Sequence, residues 1–129
     1  MNNPVRWFEI PVLDMNRAIA FYNKVFGYNL VIQDLGELQM ALFPSDLEQI
    51  GCAGALVYNA KFYKPSRIHG PLLYFETEDI TAALGRAEEL NGKIIIEERQ
   101  ISPEHGSMGV MEDSEGNRIA LHAAPVKGG

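Results

Sequence analysis

The sequence is poor in cysteine, in basic clusters and in long apolar runs, and each shortage excludes a class of protein. One cysteine among 129 residues, Cys52, cannot form an intrachain disulfide, so a reducing cytoplasm is the expected location. No apolar run approaches the roughly 18 residues of a membrane span, and the first residues lack the features of a signal peptide. The 11 Lys and Arg residues are scattered in a chain of net charge −6, which argues against nucleic acid or a membrane surface as partner.

The remaining composition is that of an ordinary globular protein. Hydrophobic residues make up 47% of the chain and charged residues 22%. A chain of this length buries enough surface to form a core without disulfides. We therefore expect a single domain that covers residues 1–129.

The two halves of the chain resemble each other when one is shifted by 65 residues. This offset (79 − 14) aligns Asp14 with Asp79, Gly27 with Gly92, Gly51 with Gly116 and Ala55 with Ala120. The middle of each half aligns poorly. The pattern predicts two similar modules, one over about 4–60 and one over about 68–125, with their boundary between 59 and 68.

Each module is predicted to contain a strand, a helix and three further strands. Asp14 and Asp79 are suitable N-caps for the two helices, and Gly27 and the Asn91-Gly92 pair are suitable stops. The predicted strands are 6–11, 28–33, 38–43 and 53–58 in the first module, and 71–76, 93–99, 107–112 and 118–122 in the second. We predict an α+β fold of two tandem βαβββ modules that form a curved eight-stranded sheet around a trough, where a ligand would bind.

Four segments resemble the vicinal oxygen chelate superfamily, which contains glyoxalases, bleomycin-resistance proteins and extradiol dioxygenases. They are WFEIPVLD at 7–14, AIAFY at 18–22, VFGY at 25–28 and DSEGNRIALH at 113–122. The resemblance covers nearly the whole chain and implies the paired-module fold. It does not specify one reaction.

The resemblance also identifies where a metal would bind. Members of this superfamily hold a divalent ion with His, Glu or Gln from the first and last strands of each module. The matching positions in this chain are Trp7, Ala55, Leu72 and Ala120. None of these side chains is a good metal ligand, because cations prefer carboxylate, imidazole or thiolate donors. We therefore expect no metal and no other cofactor.

Glu9 and His122 are the candidate catalytic residues, because strand alternation places both on the trough side. Glu9 is either a base or ligand-orienting acceptor, or a carboxylate satisfied by a tyrosine or a backbone amide. His122 is either a base or replacement metal ligand, or a hydrogen-bonded wall residue.

An apolar and aromatic wall is predicted beside these two residues. Its members are expected to contact the substrate, although core packing explains them equally well: Trp7, Met40, Val57, Tyr74 and Met111. The connector at 59–68 carries aromatic and basic residues. It is either a cover for an anionic or aromatic ligand, or a plain linker that packs over the edge of the trough.

Two functions fit these residues better than a third, a pure protein-interaction module, and the sequence leaves open whether the protein is an enzyme. The first is the binding of a small organic molecule in the trough without the usual metal. The second is a glyoxalase-type lyase or isomerase that uses Glu9 and His122 as metal ligands or as acid and base. The resemblance also implies a homodimer.

Overall fold

The computed structural model describes residues 4–46 and 51–125, and these contain eight strands and two helices. The first half contains β1 (Trp7–Pro11), α1 (Met15–Phe26), β2 (Ile32–Asp34), β3 (Gln39–Leu42) and β4 (Ala53–Tyr58). The second half contains β5 (Leu73–Glu76), α2 (Ile80–Glu89), β6 (Lys93–Ser102), β7 (Gly106–Glu112) and β8 (Arg118–Ala123). Over the described ranges, neither helix has the length and apolar character that crossing a membrane requires.

Both halves have the same topology, which confirms the predicted α+β fold of two tandem βαβββ modules. The strand order is β1-β4-β3-β2 in one sheet and β5-β8-β7-β6 in the other. In each sheet the first and last strands of the module are parallel neighbours. The eight strands are thus divided into two four-stranded sheets, and no described strand of one comes within 8 Å of the other between Cα atoms. Side chains, rather than backbone hydrogen bonds, join the sheets.

The helix caps lie where the sequence predicts them. The Asp14 carboxylate accepts from the Arg17 amide at 3.1 Å, and Asp79 accepts from the Ala82 amide at 3.0 Å. Gly27 ends α1 with a φ of 75°, a conformation that glycine adopts without steric cost. After α2 the chain reverses through Asn91, whose φ is 69°. Because the caps match, the two helices start at equivalent points of the two modules.

Two strands differ from the prediction by more than two residues at one end. β2 begins at 32 rather than 28, because the preceding segment packs into the core: Leu30 is buried, and its amide donates to the Asn23 side chain at 2.8 Å. β6 extends to 102 through several register irregularities against β7. Part of the predicted loop at 44–52, residues 47–50, lies outside the described residues.

The helix side of both sheets forms one shared hydrophobic core. Phe75 of β5 packs against the first module, with ring centroids 5.8 Å from Phe8 and 5.2 Å from Phe26. α1 and α2 contact each other over this core. Because both helices cover the same side of the molecule, the opposite side of each sheet remains for the trough.

A buried polar turn, 113–117, joins the second module to the first. Asp113, Glu115 and Asn117 are all at least 94% buried. Asp113 accepts from the Tyr22 hydroxyl at 2.7 Å, and Asn117 donates to the Pro11 carbonyl at 2.7 Å. We call this turn and its partners in β1, α1 and the link between them the junction.

The Glu115 carboxylate accepts hydrogen bonds from the residues at the start of α1. It accepts from the Leu13 and Asp14 amides at 2.8 Å each, and from the Arg17 guanidinium at 2.7 and 2.9 Å. Burial acts to raise the pKa of Glu115, but these donors outweigh it and the pKa is lowered. The segment 113–117, whose sequence predicts only a turn, therefore provides the main polar contact between the modules.

Candidate functional site

Strand alternation divides the side chains of β1 and β5 between the core and the opposite side, which we call the trough face. Phe8 and Phe75 belong to the core. Trp7 and Glu9 therefore lie on the trough face of the first sheet, and Tyr74 on that of the second. Trp7 is 45% exposed and Tyr74 is 53% exposed. Each sheet thus presents one large aromatic side chain that is accessible to a ligand.

The Glu9 carboxylate is held by two aromatic donors. The Tyr63 hydroxyl donates to one oxygen at 2.6 Å, and the Trp7 indole N–H donates to the other at 3.2 Å. The hydrogen bond to Glu9 raises the pKa of Tyr63, so this phenol remains a donor at neutral pH. Of the two interpretations of Glu9, a carboxylate satisfied by a tyrosine describes this geometry. A ligand donor that replaced either aromatic partner would meet a ready acceptor.

The connector also belongs to the trough face, because Tyr63 lies within it. Farther along, the Ser66 amide donates to the Asn117 side chain, and the Arg118 amide donates to the Ser66 carbonyl. The connector therefore runs from Glu9 to the start of β8 and covers one end of the trough face.

The four positions that the resemblance assigns to metal ligands carry no suitable donors. Ala55 and Ala120 are fully buried, and each lies beside the centre of its module's first strand, Ala55 opposite Glu9 and Ala120 opposite Tyr74. Trp7 and Leu72 complete the set. Across 4–46 and 51–125, no three His, Cys, Asp or Glu side chains are grouped so that they could hold a metal ion. These residues do not fit the metal of the superfamily.

An apolar wall lies on the trough face of the second sheet. Met108, Val110 and Ala120 form a buried cluster separate from the main core, with Leu72 and Ile96 packed against it. On the first sheet, Met40 and Val57 are paired and alternate with core residues, so they occupy the same face. The predicted wall positions of Met40 and Val57 agree with this geometry.

Met111 is a correction, because it lies fully buried in the core under the helices rather than on the trough face. Its place in the wall is taken by Met108, which pairs with His122 as Met40 pairs with Val57. The third strands are therefore offset by 68 residues (108 − 40), whereas the fourth strands are offset by 65 (122 − 57). The two offsets differ by three residues, which are inserted before β7. Because side chains alternate along a strand, an odd shift places every predicted side chain of β7 on the opposite face of the sheet.

His122 is a hydrogen-bonded residue at the far end of β8. Its Nε2–H donates to the His105 carbonyl at 2.7 Å, so Nδ1 is the nitrogen left to accept or ligate. Neither a hydrogen bond nor an ion pair joins His122 to Glu9 among the contacts of the described residues. The structure does not bring the two candidate catalytic residues together.

Arg118 is a trough-face residue that the sequence analysis did not identify. It alternates with Ala120 and His122 along β8, whereas Ile119 and Leu121 face the core. Its Nη2 donates to the Gly70 carbonyl at 3.3 Å. Its Nε is buried without a hydrogen-bond partner. Strand alternation from Ala120 and His122 could have predicted that Arg118 lies on the trough face.

Comparison with protein families gives one match over most of the chain. The family described as "Glyoxalase/Bleomycin resistance protein/Dioxygenase superfamily" matches residues 5–121. No curated protein has significant sequence similarity to the chain.

Solved structures show the same fold at low sequence identity. A mutant of glyoxalase I from Zea mays is 21% identical, with a TM-score of 0.71 over 93% of this chain and 46% of the maize chain. This chain thus spans about half the length of the maize protein. TnmS3, an antibiotic binding protein from Streptomyces sp. CB03234, is 22% identical, with a TM-score of 0.63 over 95% of this chain and 97% of its own. Hypothetical protein SA1046 from S. aureus is 15% identical, with a TM-score of 0.68 over 96% of both chains.

Proposed function

Because the chain belongs to the Glyoxalase/Bleomycin resistance protein/Dioxygenase superfamily, we propose that it binds a small organic molecule on the trough face without the superfamily's metal. The observation that carries this proposal is the set of side chains at the four ligand positions: an indole, an isobutyl group and two buried methyl groups. Such residues form a wall for an apolar ligand and supply no electron pair to a cation.

The arrangement of polar groups favours binding over acid–base catalysis. Both Glu9 oxygens already accept hydrogen bonds, which makes this carboxylate a better orienting acceptor than a base. His122 is occupied at Nε2 and has no contact with Glu9. The similarity to an antibiotic binding protein over nearly the full length of both chains supports the same class of function.

The metal-free part of the proposal is tested by elemental analysis of the purified protein. We expect less than stoichiometric zinc, nickel, iron and manganese, before and after incubation with each ion followed by desalting. One tightly held ion per chain would contradict the proposal and favour the glyoxalase-type enzyme.

The location of the site is tested with N-phenyl-1-naphthylamine, a neutral aromatic amine that becomes fluorescent in apolar surroundings. Its N–H can donate to Glu9 and its rings can lie on Trp7. Trp7→Ala and Glu9→Gln are each expected to weaken its binding about ten- to a hundredfold, the usual effect of losing one good pocket contact. Glu37→Gln is the matched control, because Glu37 is exposed in the turn between β2 and β3. Unchanged affinity in both trough variants would place the site elsewhere.

We also propose that the protein is a cytoplasmic homodimer. Exposed apolar side chains flank the edge strand β2, with Val31 71% and Leu35 62% exposed. An edge strand beside such residues is a surface that proteins normally cover. Light scattering should give twice the chain mass of 14.4 kDa at micromolar concentration. A particle of the single-chain mass would contradict the dimer and leave the binding proposal intact.

The cytoplasmic location is supported by the single exposed Cys52.

A further inference from the structure

Arg118 differs from the other buried polar groups of the described residues, because one of its donors has no partner. Its Nε is the one buried side-chain nitrogen or oxygen there that lacks a hydrogen bond. The guanidinium is held by a single, long contact of 3.3 Å between Nη2 and the Gly70 carbonyl. A guanidinium presents a planar set of donors that matches the two oxygens of a carboxylate or sulfonate.

We propose that Arg118 binds the negatively charged group of the ligand, and that the ligand is therefore an amphipathic organic anion. This inference rests on the proposed function and adds to it the chemical class of the ligand. The apolar part of such a molecule would lie against Leu72 and Ile96, the partly buried side chains that cover the buried cluster of Met108, Val110 and Ala120 beside Arg118. Adjacent parts of the second sheet would thus bind the charged group and the apolar body of the ligand.

The charges around Arg118 leave it available to such an anion. No Asp or Glu oxygen within the described ranges lies within the 4.0 Å of a salt bridge to it. Glu112, its strand partner on β7, instead lies 4.0 Å from the Arg67 guanidinium of the connector. One carboxylate and two guanidinium groups leave a local positive charge in a chain whose net charge is −6. An anion that reaches this end of the trough face is attracted there and repelled by much of the remaining surface.

The apolar cluster argues for an organic anion rather than a simple inorganic one. A free phosphate or sulfate would satisfy Arg118 but would make no use of Leu72 and Ile96, the partly buried apolar side chains that cover the cluster beside it. An aromatic sulfonate or carboxylate uses both the guanidinium and this apolar surface, and its rings would extend toward the accessible side chain of Tyr74, whose strand partner is Ala120.

Two fluorescent probes that differ by one charged group test this inference. 8-Anilinonaphthalene-1-sulfonate carries a sulfonate on the same ring system that N-phenyl-1-naphthylamine presents without charge. Trp7 is the only tryptophan, so energy transfer from its indole reports that a probe is bound, and the Trp7→Ala and Glu9→Gln variants described above report whether it lies at the trough face. Affinities are compared in the parent protein, in Arg118→Gln, in Arg118→Lys and in Lys24→Gln. The last variant removes one positive charge from the exposed side of α1.

Arg118→Gln should weaken sulfonate binding about tenfold or more while changing the affinity of the neutral probe less than about twofold, since charged hydrogen bonds contribute at least one order of magnitude. Arg118→Lys should retain part of the preference, and Lys24→Gln all of it. If Arg118→Gln leaves the ratio of the two affinities unchanged, whether or not both affinities fall, the role of Arg118 is contradicted. The proposed site itself is not contradicted by that result. Failure of the neutral probe to accept energy from Trp7 in the parent protein would overturn the proposed site, and this inference with it.

Discussion

The junction and the trough face both contain charged side chains in contact with aromatic groups, but their hydrogen bonding differs. In the junction, the Asp113 carboxylate accepts four hydrogen bonds, from the Tyr22 hydroxyl, the Glu115 amide and both the amide and side chain of Asn117. On the trough face, Glu9 accepts two bonds at an accessible position, and Arg118 keeps a donor unpaired. A complete network holds the modules together, whereas the polar groups on the trough face keep hydrogen-bonding capacity that the proposed ligand would use.

The largest effect on stability is expected from Asp113→Ala. This change leaves the Tyr22 hydroxyl and the amides of Glu115 and Asn117 without their buried acceptor. Unpaired buried donors are costly, so the free energy of unfolding should fall by about 3 kcal/mol or more. Urea denaturation followed by circular dichroism measures it.

The control for this change is Asp34→Ala. Asp34 is exposed, and its carboxylate accepts one local bond from the Gly36 amide at 3.0 Å. Its removal should alter the free energy of unfolding by less than about 0.5 kcal/mol. Equal losses in the two variants would show that the junction network contributes nothing special. Tyr22→Phe should lie between them, at about 1–2 kcal/mol.

Glu115→Gln should give the next largest effect, and the effect should depend on pH. At neutral pH we expect a loss of about 2 kcal/mol, mainly from the amides of Leu13 and Asp14, because Arg17 is half exposed and its ion pair is weakened by solvent. The measurement is the free energy of unfolding of both proteins as a function of pH.

The sign of the pH dependence follows from the lowered pKa of Glu115. A carboxyl with a lowered pKa in the folded state stabilises above its ordinary value of 4.5, and this stability is lost as the pH falls through the folded pKa. The difference between parent and variant should therefore shrink on acidification. Burial raises the pKa of Asp113, which acts in the opposite direction, but Asp113 is present in both proteins and cancels. A difference that stays constant with pH would contradict the assigned charge interaction.

The sequence predicts local features of this molecule better than it predicts long-range partners. Helix caps and glycine stops act within a few residues, so Asp14, Asp79 and Gly27 were identified correctly. The burial of Glu115 depends on residues about a hundred positions away, which no local pattern reveals. Strand faces fall between these cases. Alternation and the repeat placed Trp7 and Glu9, but the offset change before β7 exchanged Met111 for Met108.

A smaller effect on stability is expected from Tyr63→Phe on the trough face. The variant removes the 2.6 Å hydrogen bond to Glu9, but water can reach the exposed connector and replace the lost donor. The free energy of unfolding should fall by less than about 1 kcal/mol. A fall as large as that of Tyr22→Phe would mean that the connector is as firmly bound as the junction.

The smallest effect on stability is expected from Glu9→Gln, and it should be accompanied by a large effect on binding. Glutamine keeps one carbonyl oxygen for either Tyr63 or the Trp7 indole, and the second donor can turn toward water. The free energy of unfolding should therefore change by less than about 0.5 kcal/mol. Affinity for N-phenyl-1-naphthylamine should nevertheless fall, because a neutral amide oxygen is a weaker acceptor than a carboxylate for the N–H of a bound ligand. Urea denaturation and probe titration on the same preparation measure both quantities. A variant that lost stability as Glu115→Gln does, without losing affinity, would assign Glu9 to the fold and remove it from the binding site.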